Sequence, residues 1–165
     1  MARIVLADAS PLIVLARVDG LSWLERLFGP VHVPRAVRDE VLPRQDRAGE
    51  PQIREAIARK ALMVLRSDWR TPQFPHLGEG EAACIRAAAR LAKPALLLMD
   101  DRIGRATAVE HGLEVAGTAA IIAMAKRQRM IPSAAAVFER LLQMDFRISA
   151  EIISAALEMA GERKP

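Results

Sequence analysis

Residues 3–11 read RIVLADASP, and the fold follows from how this stretch is parsed. Ile4, Val5, Leu6 and Ala7 run together without polar alternation, the pattern of a strand buried on both faces. The run stops at Asp8. Ser10-Pro11 then reads as an N-cap followed by proline at the first helical position, where a missing N–H is not needed. That predicts a helix over Leu12 to Val18, stopped by Asp19-Gly20. The same order returns later in the chain: an apolar run from Ala95 to Met99, the acids Asp100-Asp101, and a helix over Arg102 to His111 closed by Gly112.

Between and beyond these two units the alternation continues. Helices are expected over Leu21 to Phe28, from Pro34 with Val37 and Val41 on one face, over Ile53 to Ala61, and over Glu79 to Leu91. Short strands are expected at Val31 to Val33, at Leu62 to Leu65 on an edge, and at Leu113 to Ala116. Ser67 to Leu77, with two prolines, a tryptophan and a phenylalanine but no period, reads as a surface loop. Helices over Thr118 to Arg127, Ser133 to Met144 and Ser149 to Ala160 complete the chain. Strands alternating with helices argue for a mostly parallel central sheet in a three-layer α/β/α domain. A chain of 165 residues suits one such domain spanning 1–165.

Composition narrows the function classes. At 52% hydrophobic and 27% charged residues, the chain is not disordered. Cys84 is the single cysteine and there are three histidines, so neither a disulfide framework nor a soft-ligand metal site is expected. The apolar runs are too short to span a bilayer, and no membrane partner is expected. Asp8, Ser10 and Pro11 interrupt the N-terminal run, which argues against a secretory signal and makes the cytoplasm the expected location. The net charge of +4, carried by twenty arginines against four lysines, suits a polyanionic partner.

Two apolar strands thus end in acid, at Asp8 and Asp100. In open parallel sheets, ligands bind beyond the strand C-termini where the strand order reverses. Carboxylates brought together there call for a cation, and a hard divalent ion prefers oxygen ligands. Each acid also has a plainer reading. A single Asp after a strand starts a turn or caps a helix. Glu79 and Glu81 are well placed for a helix N-terminus, and Asp39-Glu40, with Arg35 and Arg38 nearby, resembles a solvated face.

The series ADASPLIVLARV (7–18), VPRAVRDEV (33–41), LGEGEAACIRAA (77–88) and LLLMDDRIGRATAVEHGLEVAGT (96–118) resembles the PIN-domain family. It is most similar to a branch of predicted PIN-domain nucleic-acid-binding proteins related to VapC-type toxins. The similarity is strongest over residues 4–130, with 131–165 read as C-terminal helices of the same domain. Toxin-type members often carry Thr-x-Asp and an aromatic residue around the fourth acid. Here Leu98-Met99-Asp100-Asp101 and Gly104-Arg105 stand instead, which matches the related branch better.

The resemblance implies an endoribonuclease that uses Mg²⁺ or Mn²⁺, one ion or two. Its catalytic and metal-holding acids would be Asp8, Glu40 (rather than Asp39), Glu81 (rather than Glu79) and Asp100. Ser10, Asp101 and Thr118 would be supporting residues; for Ser10 itself, helix capping is the preferred reading. In this scheme the metal acidifies an attacking water, and a second ion or Arg105 stabilises the leaving oxygen. Arg35, Arg38, Arg102 and Arg105 would meet the nucleic-acid backbone. Implied partners are an RNA substrate, a cognate antitoxin if the protein is a toxin, and a second copy in a homodimer. The alternative is a non-cleaving PIN-fold nucleic-acid-binding or regulatory module. A receiver-like phosphoprotein would need a mid-chain strand-end Asp and a late strand-end Lys, which are missing.

Overall fold

The computed structural model describes residues 3–91 and 93–162. The chain divides into two compact units, residues 1–116 and 117–165.

The first unit holds a five-stranded sheet in the order β3-β2-β1-β4-β5. The strands are β1 (Ile4–Ala7), β2 (Val31–Val33), β3 (Leu62–Val64), β4 (Ala95–Leu98) and β5 (Glu114–Ala116). Every pairing is parallel, so the sheet is wholly rather than mostly parallel among the described residues. Six helices accompany it there: α1 (Ala9–Ala16), α2 (Leu21–Phe28), α3 (Arg35–Val41), α4 (Glu50–Ala58), α5 (Glu79–Leu91) and α6 (Arg102–Glu110). β1 and β4 pair in register along their whole length, Ile4 with Ala95 through Ala7 with Leu98. Leu6, Leu97 and Leu98 are fully buried, as apolar central strands require. The chain runs outward from β1 through β2 to β3, then returns to lay β4 on the other side of β1. The reversal therefore falls between the two strands that end in acid.

One local expectation is corrected. α1 begins at Ala9, not at Leu12, and its N-cap is Asp8 in extended backbone; Ser10 is an exposed residue inside the first turn. Pro11 is accommodated because the first-turn N–H groups have no intrahelical acceptor in any case. Ser10 therefore does not cap this helix. α4 likewise starts earlier than expected, at Glu50, after Gly49 in the left-handed region with φ 97°. Trp23 is buried, whereas Leu27 is only half-buried.

The second unit comprises α7 (Thr118–Arg127), α8 (Ala134–Gln143) and α9 (Ala150–Met159), with α7 packed on both of the others. Ser133 and Ser149 cap α8 and α9 by accepting from the Ala136 and Ile152 N–H groups, each at 3.2 Å. Glu162 returns to the N-terminus of α8, where its carboxylate accepts from the Ala134 and Ala135 N–H groups at 2.6 and 3.0 Å. Burial pushes that carboxyl up, but these two amides, the Ser133 hydroxyl and Lys126 outweigh it, so the net shift is downward.

Candidate active site

The site is assembled at the β1/β4 reversal. Asp8 leaves β1 with its N–H donating to the Leu98 carbonyl at 2.9 Å, which ties it to the end of β4. β4 continues through buried Met99 to Asp100, whose side chain is exposed. Asp8 is only 3% exposed. Burial is the main cause that lifts its carboxyl to about 7; the Ala9 N–H pulls the other way, and Glu81, Glu40 and Asp100 each push it further up. Those causes identify the acids that surround it.

Two helices supply the others. α3 is anchored by Val37 and Val41, and α5 packs against it. Where they meet, Gly80 is buried in the first turn of α5, with no room for a side chain. A Cβ there would lie 2.7 Å from Asp8 Oδ1, 3.2 Å from Glu40 Oε2 and 3.4 Å from Val37 Cγ2. Glu81 is half-buried and its carboxyl is raised, first by burial, then by Asp101 and Glu40. The Gly78 N–H and its own N–H act in the opposite sense. Gly104 on α6 closes the other side, since a Cβ there would meet Met99 Sδ at 2.7 Å and Glu81 Cγ at 3.1 Å. Cys84 lies fully buried one turn along α5. Its thiol is pushed well above its ordinary value by burial and then by Asp8, Glu81 and Glu40, which makes it a packed thiol rather than a reactive one.

The rival acids are occupied elsewhere. Asp39 pairs with Arg38 at 2.7 Å, and Glu79 pairs with buried Arg86 at 2.7 Å. Asp101 caps α6, its Oδ1 accepting from the Ile103 and Gly104 N–H groups at 3.0 Å each. Thr118 is buried in the second unit as the first residue of α7. Arg35 donates to the carbonyls of Leu65 and Arg66 and so fixes the exit of β3. Arg102 and Arg105, at the start of α6, have no ion pair among the described residues, which leaves their guanidinium groups available to an anion. Sequence reading missed what Gly80, Gly104 and Arg86 do. Gly80 stands beside Glu81 and Gly104 beside Arg105, both selected, and only the close approach to Asp8 and Glu81 reveals why they are glycines.

The donor set is all hard oxygen, with one carboxyl buried among like charges, and it fits a Mg²⁺-type cation. Among the described residues no group of three or more His, Cys, Asp or Glu side chains is drawn tightly enough to hold an ion as it stands. Glu81 is turned toward the Gly78 N–H.

A family model described as a PIN domain matches residues 4–162. The chain belongs to the PIN-domain family. The match extends past residue 130, where the sequence resemblance was weaker, and takes in helices of both units. PIN domains are generally nucleases and typically use divalent metal ions, so a nucleic-acid substrate follows for this PIN domain. Among curated proteins none matches the chain. Among the described residues no helix is long and apolar enough to cross a membrane.

Proposed function

We propose that this PIN domain is an endoribonuclease that hydrolyses RNA phosphodiester bonds with Mg²⁺ or Mn²⁺. The observation that carries the reading is Asp8: a buried carboxyl at the sheet reversal, raised to about 7, with Glu81, Glu40 and Asp100 acting on it. Asp8, Glu81 and Asp100, with Glu40 direct or through water, would hold one ion or two. When bound, such an ion supplies positive charge to the phosphate and lowers the pKa of an attacking water.

The remaining work falls to the chain. Hydrolysis forms a bond from water oxygen to phosphorus and breaks the bond to the leaving oxygen, which takes a proton. Because Asp101 already occupies two amides at the α6 N-terminus, a phosphate there is met by Arg102 and Arg105 rather than by those backbone N–H groups. Arg105 would stabilise the leaving oxygen, and Arg38 would meet a phosphate by exchanging Asp39 for it. Arg35 reads as a structural tie.

The test is cleavage of generic single-stranded RNA with Mg²⁺ or Mn²⁺, comparing wild type with Asp8→Asn and Asp100→Asn. Both variants should lose activity; if they cut as well as wild type, the assignment is wrong. RNA bound but never cut by the wild type would favour the non-cleaving module, a reading to which the spread of the acids lends weight. A toxin role, with a cognate antitoxin, would appear as growth arrest on expression, relieved by the product of a neighbouring gene; Leu98-Met99-Asp100-Asp101 in place of the toxin-type Thr-x-Asp weighs against it. A cytoplasmic homodimer completes the proposal, with light scattering as the check on its mass.

A further inference from the structure

Arg86 is a buried arginine, only 4% exposed, in an otherwise alanine-rich helix. A guanidinium survives such burial only when its donors are met. Here Nε donates to the Pro72 carbonyl at 2.7 Å, while Nη1 donates to Glu79 Oε1 at 2.7 Å and to the Trp69 carbonyl at 3.4 Å. All three partners belong to the aperiodic segment that leads into α5 and to that helix's first residue. The segment is mostly exposed, with Trp69 and Phe74 only half-buried, so apolar burial gives it little hold of its own.

Its far side is fastened to α6. His76 Nε2 lies 3.2 Å from Thr107 Oγ1, and that hydroxyl donates to the Ile103 carbonyl at 2.9 Å. With the hydroxyl proton committed, His76 must carry its proton on Nε2 and donate. Phe74 stands edge-on between His76 and His111, at 6.4 and 5.4 Å between ring centroids. The segment thus bridges α5 and α6, the two helices that close on Glu81. It ends at Gly78, whose carbonyl accepts the Ala82 N–H at 3.1 Å and whose own N–H faces the Glu81 carboxylate.

We propose that Arg86 is a positioning residue for Glu81: by gathering the 69–79 segment onto α5 it fixes the first turn from which Glu81 reaches the acid pocket. The inference rests on the nuclease reading only for what Glu81 does there. Arg86's bonds go to this segment and to Glu79 rather than to the sheet.

Arg86→Met keeps most of the side-chain volume and removes every hydrogen bond. Mn²⁺ affinity by calorimetry should fall by about tenfold or more, as for other residues that orient a metal ligand. Exchange of the Ala82 amide should quicken by a similar factor while amides of β1 keep their protection. Arg86→Lys, which can reach Glu79 but cannot span both carbonyls, should fall between. Phe138→Leu, a core change in the other unit, should lower the melting temperature without weakening Mn²⁺ uptake, which separates positioning from general stability. A folded Arg86→Met with wild-type Mn²⁺ affinity and wild-type Ala82 exchange overturns the proposal. If Arg86→Met does not fold, Arg86→Lys and Glu79→Gln decide by the same two readouts. If the wild type takes up no Mn²⁺, the nuclease reading fails, and Ala82 exchange still decides whether Arg86 sets this turn.

Discussion

Gly80 leaves the space that the Asp8 carboxyl occupies: a Cβ on Gly80 would stand 2.7 Å from Asp8 Oδ1. Two effects compete when alanine is introduced. Helix propensity favours Ala over Gly by about 1 kcal/mol, whereas overpacking against a fixed strand end typically costs about 1–3 kcal/mol. Asp8 is only 3% exposed and Glu40 Oε2 and Val37 Cγ2 stand within 3.4 Å of the same point, so its carboxyl has little room to swing aside and the clash wins. Gly80→Ala should therefore lower stability in urea and abolish Mn²⁺ uptake. A more stable variant that still binds Mn²⁺ would show that the gap is slack.

The pH dependence of the metal-free protein follows from Asp8. Its carboxyl titrates at about 7 when folded and near 3.8 when unfolded. Between those values the folded state keeps a proton that the unfolded state has lost. The stabilising contribution is thus complete below the unfolded value and disappears as pH rises through about 7. Thermal melts from pH 5 to 8 should show wild type losing stability relative to Asp8→Asn over this window. Mn²⁺ uptake should strengthen over the same window, with proton release measurable in two buffers of different ionisation enthalpy.

Asp100 and Asp101 are neighbours with separable duties. Asp101→Ala removes the α6 cap and should cost about 1 kcal/mol, while Asp101→Asn keeps an acceptor and should stay within about 0.5 kcal/mol of wild type. Asp100→Asn relieves repulsion on Asp8 and should abolish cleavage while the protein still folds. Urea titrations and RNA cleavage on the same three variants distinguish them; loss of folding in Asp100→Asn would reverse the assignment.

Arg102 and Arg105 should act on binding and charge rather than on folding. Replacing both with Ala should raise KM, lower kcat through the loss of Arg105, and leave melting unchanged. The salt slope of RNA binding should become shallower by about 1 for each phosphate that is no longer neutralised. An unchanged slope would move the RNA path elsewhere.

Glu162 offers a check confined to the second unit. Its folded pKa is lowered, so its contribution is present above the unfolded value and is lost as pH falls through the folded one. Glu162→Ala should cost about 1 kcal/mol at neutral pH, with the difference from wild type shrinking in acid. A difference independent of pH would mean that the carboxylate charge is not involved.

What the sequence disclosed and what it concealed divide along local and non-local physics. A buried strand followed by Asp is a short-range pattern, so the ends of β1 and β4 were readable, as were the helices carrying Glu40 and Glu81. Asp8 in the N-cap position was obscured because Ser10-Pro11 offers an equally good start two residues later. Gly80 and Gly104 have no local signature, since their missing side chains matter only where α5 meets Asp8 and α6 meets Glu81. Arg86 was hidden for a related reason: its acceptors are loop carbonyls, which no side-chain pattern announces.

The placement of β4 has a consequence for synthesis. β1, already paired with β2 on one edge, receives β4 on its other edge only after residues 95–98 exist. A nascent chain tethered to the ribosome therefore exposes an unpaired β1 edge and carries Asp8 without Asp100 until β4 has been made. The proposed cutting centre is thus assembled only once β4 has docked, and it stays incomplete while β1 to β3 are being made.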